Sequence, residues 1–167
     1  MNHLWSPWRM EYITRSADDG ECVFCRIIMQ TDDVGNYVIA RGYSCLMLLN
    51  RYPYTSGHVM VVPFPHVARM DDLEDDCRAE MIELANRSIL ALEEEYNPEG
   101  FNVGINIGEA AGAGITEHIH LHVVPRWSGD TNFMTAVSGA RVLPETLPDT
   151  YNRLLKAWSS SVNTDDP

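Results

Sequence analysis

The chain has 167 residues, 12 Lys and Arg against 24 Asp and Glu, a formal net charge of −12, and 45% hydrophobic residues. That describes one globular domain able to bury a core, too hydrophobic to be disordered and too acidic to coat nucleic acid or anionic lipid. No apolar run approaches the roughly 20 residues of a membrane span, and Met1 to Glu11 lacks the unbroken apolar stretch of a secretion signal, so a soluble cytoplasmic protein is expected.

In chain order, the first segment that carries chemistry is Cys22-Val23-Phe24-Cys25. Two thiolates at this spacing suit tetrahedral zinc, which needs two further ligands, and His58, His66 and His118 are the candidates. A redox pair or two buried thiols are the alternatives, although no βα unit follows the motif. The other two cysteines, Cys45 and Cys77, read as buried thiols. Asn36 to Ala40, Ser44 to Leu49 and Gly57 to Pro63 are short, rich in branched apolar residues and bounded by Gly, Asn or Pro, as strands are. The loop between the second and third contains Pro and Gly and suits an antiparallel connection. From Leu73 to Tyr96 the positions Leu73, Cys77, Met81, Leu84, Leu90 and Leu92 fall near helical spacing, with Asn97, Pro98 and Gly100 as stop signals. Phe101 to Asn106 and His118 to Val124 complete a set of five predicted strands. A second helix is predicted over Asp149 to Ser159, followed by a polar tail, 159–167. The pattern gives an α+β protein, an antiparallel sheet with helices on one side.

Three of the six histidines alternate with branched apolar residues in Glu117-His118-Ile119-His120-Leu121-His122-Val123. Period two in a strand puts His118, His120 and His122 on one face and Ile119, Leu121 and Val123 on the other. A half-buried strand with a polar face would account for the pattern, but three imidazoles together favour nucleophilic, proton-transfer or metal chemistry. A single ion shared by all three meets a geometric difficulty, because same-face neighbours along a strand lie about 6.5–7 Å apart.

With Val123-Val124-Pro125-Arg126 after it, the histidine row resembles that of the histidine triad (HIT) nucleotide hydrolase and transferase family. Asn50-Arg51-Tyr52-Pro53-Tyr54-Thr55-Ser56-Gly57-His58 is similar to that family's Asn-x-x-Pro-x-x-x-Gly-His strand entry, with His66 eight residues after His58. Asn106-Ile107-Gly108 and the small-residue loop Ala110 to Gly114 stand where the family places its phosphate-facing turn. Trp5-Ser6-Pro7-Trp8-Arg9 and the stretch Pro125 to Met134 resemble the branch of diadenosine tetraphosphate phosphorylases and related hydrolases. The resemblance spans about residues 4–145 and implies a HIT-like α+β fold, about five antiparallel strands with one long helix and a C-terminal helix, as a single domain over 1–158. One departure stands out. Many members carry Gln four residues before the first triad histidine, then Ser or Thr, whereas this chain has Gly114 and Ile115, which leaves Thr116 as the substitute.

The resemblance implies cleavage of dinucleoside polyphosphates such as diadenosine tetraphosphate. His120 would attack the α-phosphorus to give a nucleotidyl-histidine, resolved by phosphate or water. Its other ring nitrogen would keep its proton on a backbone carbonyl, by family analogy that of His118. His122 and the amides of Gly112, Ala113 and Gly114 would bind phosphate oxygens. Thr116 joins them. Asn50 would contact ribose and Asn106 phosphate, and His58 would support catalysis from a place near the nucleophile. Phe24, Ile27 and Leu48 would line a base pocket or pack as plain core. Cys22, Cys25, His66 and His118 would hold a structural zinc in a closed site. The implied partners are a nucleotide substrate and a second copy of the chain, with no nucleic acid and no membrane. A nucleotide-binding sensor with little turnover is the competing reading.

Overall fold

The second and third strands are apolar at consecutive positions because both faces of the sheet are covered there. In the computed structural model, which describes residues 21–130 and 143–162, every residue of β2 (Cys45–Leu49) and β3 (Val59–Pro63) is buried. They form the middle of a five-stranded sheet with β1 (Val38–Arg41), β4 (Gly100–Ile105) and β5 (Leu121–Arg126). The order is β1-β2-β3-β5-β4, and every neighbouring pair is antiparallel. Five strands were predicted and five are present among the described residues, within one to three residues at their starts. The last begins its ladder at Leu121, so His118 and His120 precede the strand in which they were expected.

One face carries Met47, Leu49, Val59, Val61, Leu121 and Val123, packed beneath α2 (Asp75–Tyr96) and α3 (Leu147–Val162). The buried stripe of α2 is Cys77, Met81, Leu84, Ala85, Ser88, Ala91 and Leu92, at the spacing of one helical face. Leu90, expected within that stripe, points outward and is 53% exposed. Asn97 ends the helix in the left-handed region, φ 44°, with its N–H on the carbonyl of Glu93. Helix α3 starts two residues before its predicted bound and continues to Val162, past Ser159 where the tail was expected to start.

The opposite face is where the expectation of helices on one side fails. A seven-residue helix, α1 (Val23–Met29), lies against Leu46, Leu48, Met60 and Val62 and buries Phe24 and Ile27 among them. Burying two such side chains contributes roughly 1.5–3 kcal/mol each, which offsets the poor intrinsic stability of so short a helix. Its apolar pattern is too brief to show a period and carries no separate helix signal. The motifs at Trp5 to Arg9 and Asn132 to Met134, and tail positions 163–167, lie outside the described residues.

The hairpin between β1 and β2 is held to α2 by one carboxylate. Glu80 accepts hydrogen bonds from the Tyr43 and Ser44 amides, both at 2.7 Å, and from the Ser44 hydroxyl at 2.8 Å. A Cβ on Gly42 would lie 2.3 Å from the Glu80 carboxylate, so a larger residue at that corner would displace the carboxylate from these bonds. Burial works to raise the Glu80 pKa, but these hydrogen bonds outweigh it and lower the pKa below the ordinary glutamate value. A carboxylate with a lowered folded-state pKa stabilises above its unfolded value, and that stabilisation is lost as pH falls through the folded one. Glu80→Ala is therefore expected to cost about 1–3 kcal/mol in urea unfolding at neutral pH. The difference from the unsubstituted chain should shrink in acid, below the ordinary glutamate range; a pH-independent difference would contradict this origin.

Candidate active site and metal site

Register places the chemistry on the α1 face. Leu48 pairs with Met60, Met60 with His122 and His122 with Gly104, so His122 shares a face with the cluster under α1. Ile119, Leu121 and Val123 enter the opposite core, as period two requires, although the ladder covers only part of the row. The rings of His120 and His122 are 4.8 Å apart between centroids. His118, fully buried, turns instead toward α1.

There it meets both cysteines. The His118 Nδ1 lies 3.4 Å from Cys22 Sγ and 3.6 Å from Cys25 Sγ, and the His66 Nδ1 lies 3.1 Å from Cys25 Sγ. The four ligand atoms of Cys22, Cys25, His66 and His118 fall within 4.8 Å of one another and form a possible metal site. Tetrahedral zinc with ordinary Zn–S and Zn–N bonds would hold such atoms about 3.3–3.8 Å apart, so the donor set fits after a small contraction. His58, the third candidate ligand, lies elsewhere, bonded to His122. The His118 Nε2 sits 2.8 Å from the carbonyl oxygen of Pro63. A carbonyl only accepts, so Nε2 carries the proton and Nδ1 presents its lone pair to the cysteines. Burial lowers the pKa of His118, which favours this neutral form. Burial, followed by the neighbouring Cys22, raises the pKa of the Cys25 thiol, a bias that a bound cation would reverse.

The carbonyl of His118 does separate work. It accepts from His120 Nδ1 at 2.9 Å, so the proton of His120 sits on Nδ1 and the Nε2 lone pair is directed away from that bond. A second chain of bonds sets the other tautomers. The Tyr54 amide donates to His58 Nδ1 at 3.1 Å, and the Asn50 side-chain amide approaches the same atom at 3.4 Å. His58 must then carry its proton on Nε2, which lies 3.0 Å from His122 Nδ1. His122 therefore accepts at Nδ1 and is protonated at Nε2. His58 thus meets His122, whose ring lies beside that of His120. Gly57, φ +80°, makes the turn into His58, and a Cβ there would strike Leu92 at 2.7 Å.

The remaining expected residues divide. Asn106 lines a cleft of about 1020 Å³ together with His122, Tyr54 and Asn102. Asn50 is half-buried, and its side-chain oxygen accepts from the Tyr52 amide at 3.0 Å, so both ends of its amide face the His58 loop. Phe24, Ile27 and Leu48 are at most 8% exposed and pack as core, with the Phe24 ring 5.0 Å from His120 and 5.4 Å from His118. The amides of Gly112 and Ala113, expected to face phosphate, donate inside their own turn to Glu109 and Gly108 at 2.8 and 3.4 Å. Ile115 packs on the α1 cluster, while Thr116 is exposed. Cys45 and Cys77 are buried with their sulfurs 3.7 Å apart. Sequence reasoning missed Tyr54, whose ring stacks against His122 with centroids 6.2 Å apart and lies tilted against His58 at 4.5 Å; its place four residues before His58 was the available signal.

A five-stranded α+β fold with this histidine row on its sheet defines a histidine triad protein. Residues 33–129 match the HIT domain, and the chain belongs to that family. It is 39% identical to an AP-4-A phosphorylase of Mycobacterium tuberculosis over 95% of this chain and 85% of that one. Among solved structures, a Zn-bound histidine triad family protein from Mycobacterium smegmatis superposes with a TM-score of 0.71 at 30% identity, covering 87% of this chain and 99% of that one. A hypothetical histidine triad nucleotide-binding protein from Sulfolobus tokodaii does so with a TM-score of 0.66 at 26% identity, over 86% and 93% of the two chains. No helix among the described residues is long and apolar enough to cross a membrane.

The bond directions make a spectroscopic prediction. In 15N NMR of the neutral imidazoles, His120 is expected as the Nδ1–H tautomer, and His58 and His122 as Nε2–H tautomers. A His120 signal from a protonated Nε2 would contradict the bond to the His118 carbonyl.

Proposed function

We propose that this chain is an enzyme that cleaves dinucleoside polyphosphates, diadenosine tetraphosphate among them, through a nucleotidyl-His120 intermediate, with phosphate or water as the second acceptor. The observation that carries this reading is the Nδ1–H bond from His120 to the His118 carbonyl, because it leaves the Nε2 lone pair for phosphorus. The similarity to an AP-4-A phosphorylase over most of the chain supports the substrate class.

In the first step His120 Nε2 forms a bond to the α-phosphorus as the bond to the leaving phosphate oxygen breaks. His122, protonated at Nε2, donates to a phosphate oxygen, and its Nδ1 stays on His58 as charge develops. Asn50 reaches ribose by turning its amide out of the His58 loop, and Asn106 contacts phosphate from the cleft. The loop from Gly112 through Gly114 to Thr116 closes over the anion by releasing the internal bonds of its turn, for which the left-handed Gly112, φ +86°, is suited. In the second step the oxygen of phosphate or water attacks the same phosphorus from the opposite side, and the P–N bond breaks to restore His120.

Zinc held by Cys22, Cys25, His66 and His118 would be structural, since four protein ligands leave no open position for water. Its contribution is to pin α1 and the segment before β5 together. A homodimer formed through the β4 edge is also proposed, with Val103 48% exposed on that strand. The proposed compartment is the cytoplasm, where the Cys22 and Cys25 thiols stay reduced for the metal.

His120→Asn tests the reaction. The variant should fold and bind nucleotide, while turnover of diadenosine tetraphosphate falls by at least about 10³-fold, as for loss of a nucleophile. With a substrate chiral at the α-phosphorus, two displacements should give overall retention in the unsubstituted protein, and quenched samples should contain a nucleotidyl adduct on His120. Inversion, or a fully active Asn variant, would return the triad to binding alone, as in a sensor. For the metal, Cys25→Ser is expected to lower zinc content and the thermal midpoint together; elemental analysis of carefully prepared protein lacking zinc would remove the assignment.

A further inference from the structure

We infer that Arg41 is a positioning residue: its guanidinium fastens the C-terminal end of α1 to the sheet and so holds Cys25 and Phe24 where the metal site and His120 need them. The inference rests on the proposed function for the identity of the metal and of the nucleophile; the contacts themselves do not.

A seven-residue helix has too few internal bonds to stand alone, and its last carbonyls have no partner within it. Gln30 N–H closes one turn on the Ile27 carbonyl at 3.2 Å. Arg41, at the end of β1, supplies the rest. Its Nη1 donates to Ile28 O at 3.1 Å, and the Nη2 hydrogen not turned to Asp33 is shared between Gln30 O at 2.8 Å and Ile27 O at 3.2 Å. The fork is aimed by Asp33, whose carboxylate accepts from Nε at 3.0 Å and from Nη2 at 2.8 Å. Asp33 is itself tied to the start of β1, since its carbonyl accepts the Val38 amide at 2.8 Å. One planar cation thus meets three carbonyls at the negative end of a helix, a geometry that a lysine ammonium cannot span.

What α1 carries makes the attachment functional. Cys25 contributes Sγ beside His66 and His118, and the adjacent Phe24 lies against the rings of His118 and His120. Arg41 touches none of these groups. A loosened α1 would withdraw half of the metal ligands and one wall of the nucleophile together.

The test compares the full-length protein, as purified with its metal, with Arg41→Gln and Arg41→Lys by hydrogen exchange read separately over 22–30 and over 75–96. For Arg41→Gln, exchange in the first segment should rise about tenfold or more, matching the loss of charged hydrogen bonds, with the second unchanged. Zinc transfer to a chelator should accelerate alongside, and KM for diadenosine tetraphosphate should rise more than kcat falls. Arg41→Lys should lie between. Unchanged exchange over 22–30, or an equal rise in both segments, would overturn the assignment, the second because it marks general destabilisation. If Arg41→Gln does not fold, Asp33→Asn, which removes only the charge that aims the fork, should give the same local pattern more weakly, and its absence would count equally against Arg41. Lack of zinc or of a nucleotidyl-His120 adduct in the unsubstituted protein would instead fail the proposed function, leaving the exchange result readable by itself.

Discussion

Everything at the site depends on His118 being used at two ends. Its ring, protonated on Nε2 by the bond to Pro63, presents Nδ1 to the two cysteines, while its main-chain oxygen takes the Nδ1 proton of His120. Side chain and carbonyl of one residue point to opposite tasks only because the chain has not yet entered the β5 ladder. In a regular strand that carbonyl would be committed to a neighbouring strand. The ladder begins at Leu121, and the irregular stretch before it is where the backbone becomes available to a side chain.

The same economy of protons governs the second pair. A backbone amide has no choice of role, so the Tyr54 N–H settles the tautomer of His58, and His58 settles that of His122. Two imidazoles 4.8 Å apart are thereby held in opposite states, one with its lone pair outward and one with its proton outward. The distinction is one of hydrogen-bond direction. It follows from two main-chain groups whose positions are fixed by the sheet and by the tight turn at Gly57.

The loop before the triad departs from the family in a way that packing explains in part. Ile115 stands where the resemblance leads one to expect a hydroxyl, and it lies on the apolar cluster beneath α1 rather than toward the cleft. The preceding glycines complete a self-contained turn. Loop, α1 and Arg41 form one side of the site, and all of it rests on a face of the sheet that α2 and α3 do not cover.

Short apolar runs bounded by Gly, Asn or Pro were enough to determine the five strands, and hydropathy period the long helix and the alternation of His118, His120 and His122 with a core-facing row, because each is a local pattern within a few residues. The donor types for a metal site were equally legible, since Cys-x-x-Cys and spare histidines are chemical facts of the sequence. What needed tertiary structure was selection: which histidines join Cys22 and Cys25, which way each imidazole is protonated, and that His58 serves His122. These are decided by main-chain groups of Pro63, Tyr54 and His118, which carry no sequence signature because every residue offers the same amide and carbonyl. Helix α1 belongs with them. Seven residues hold too little periodicity to announce a helix, and theirs exists because the sheet, the histidines and Arg41 give its two ends somewhere to bind.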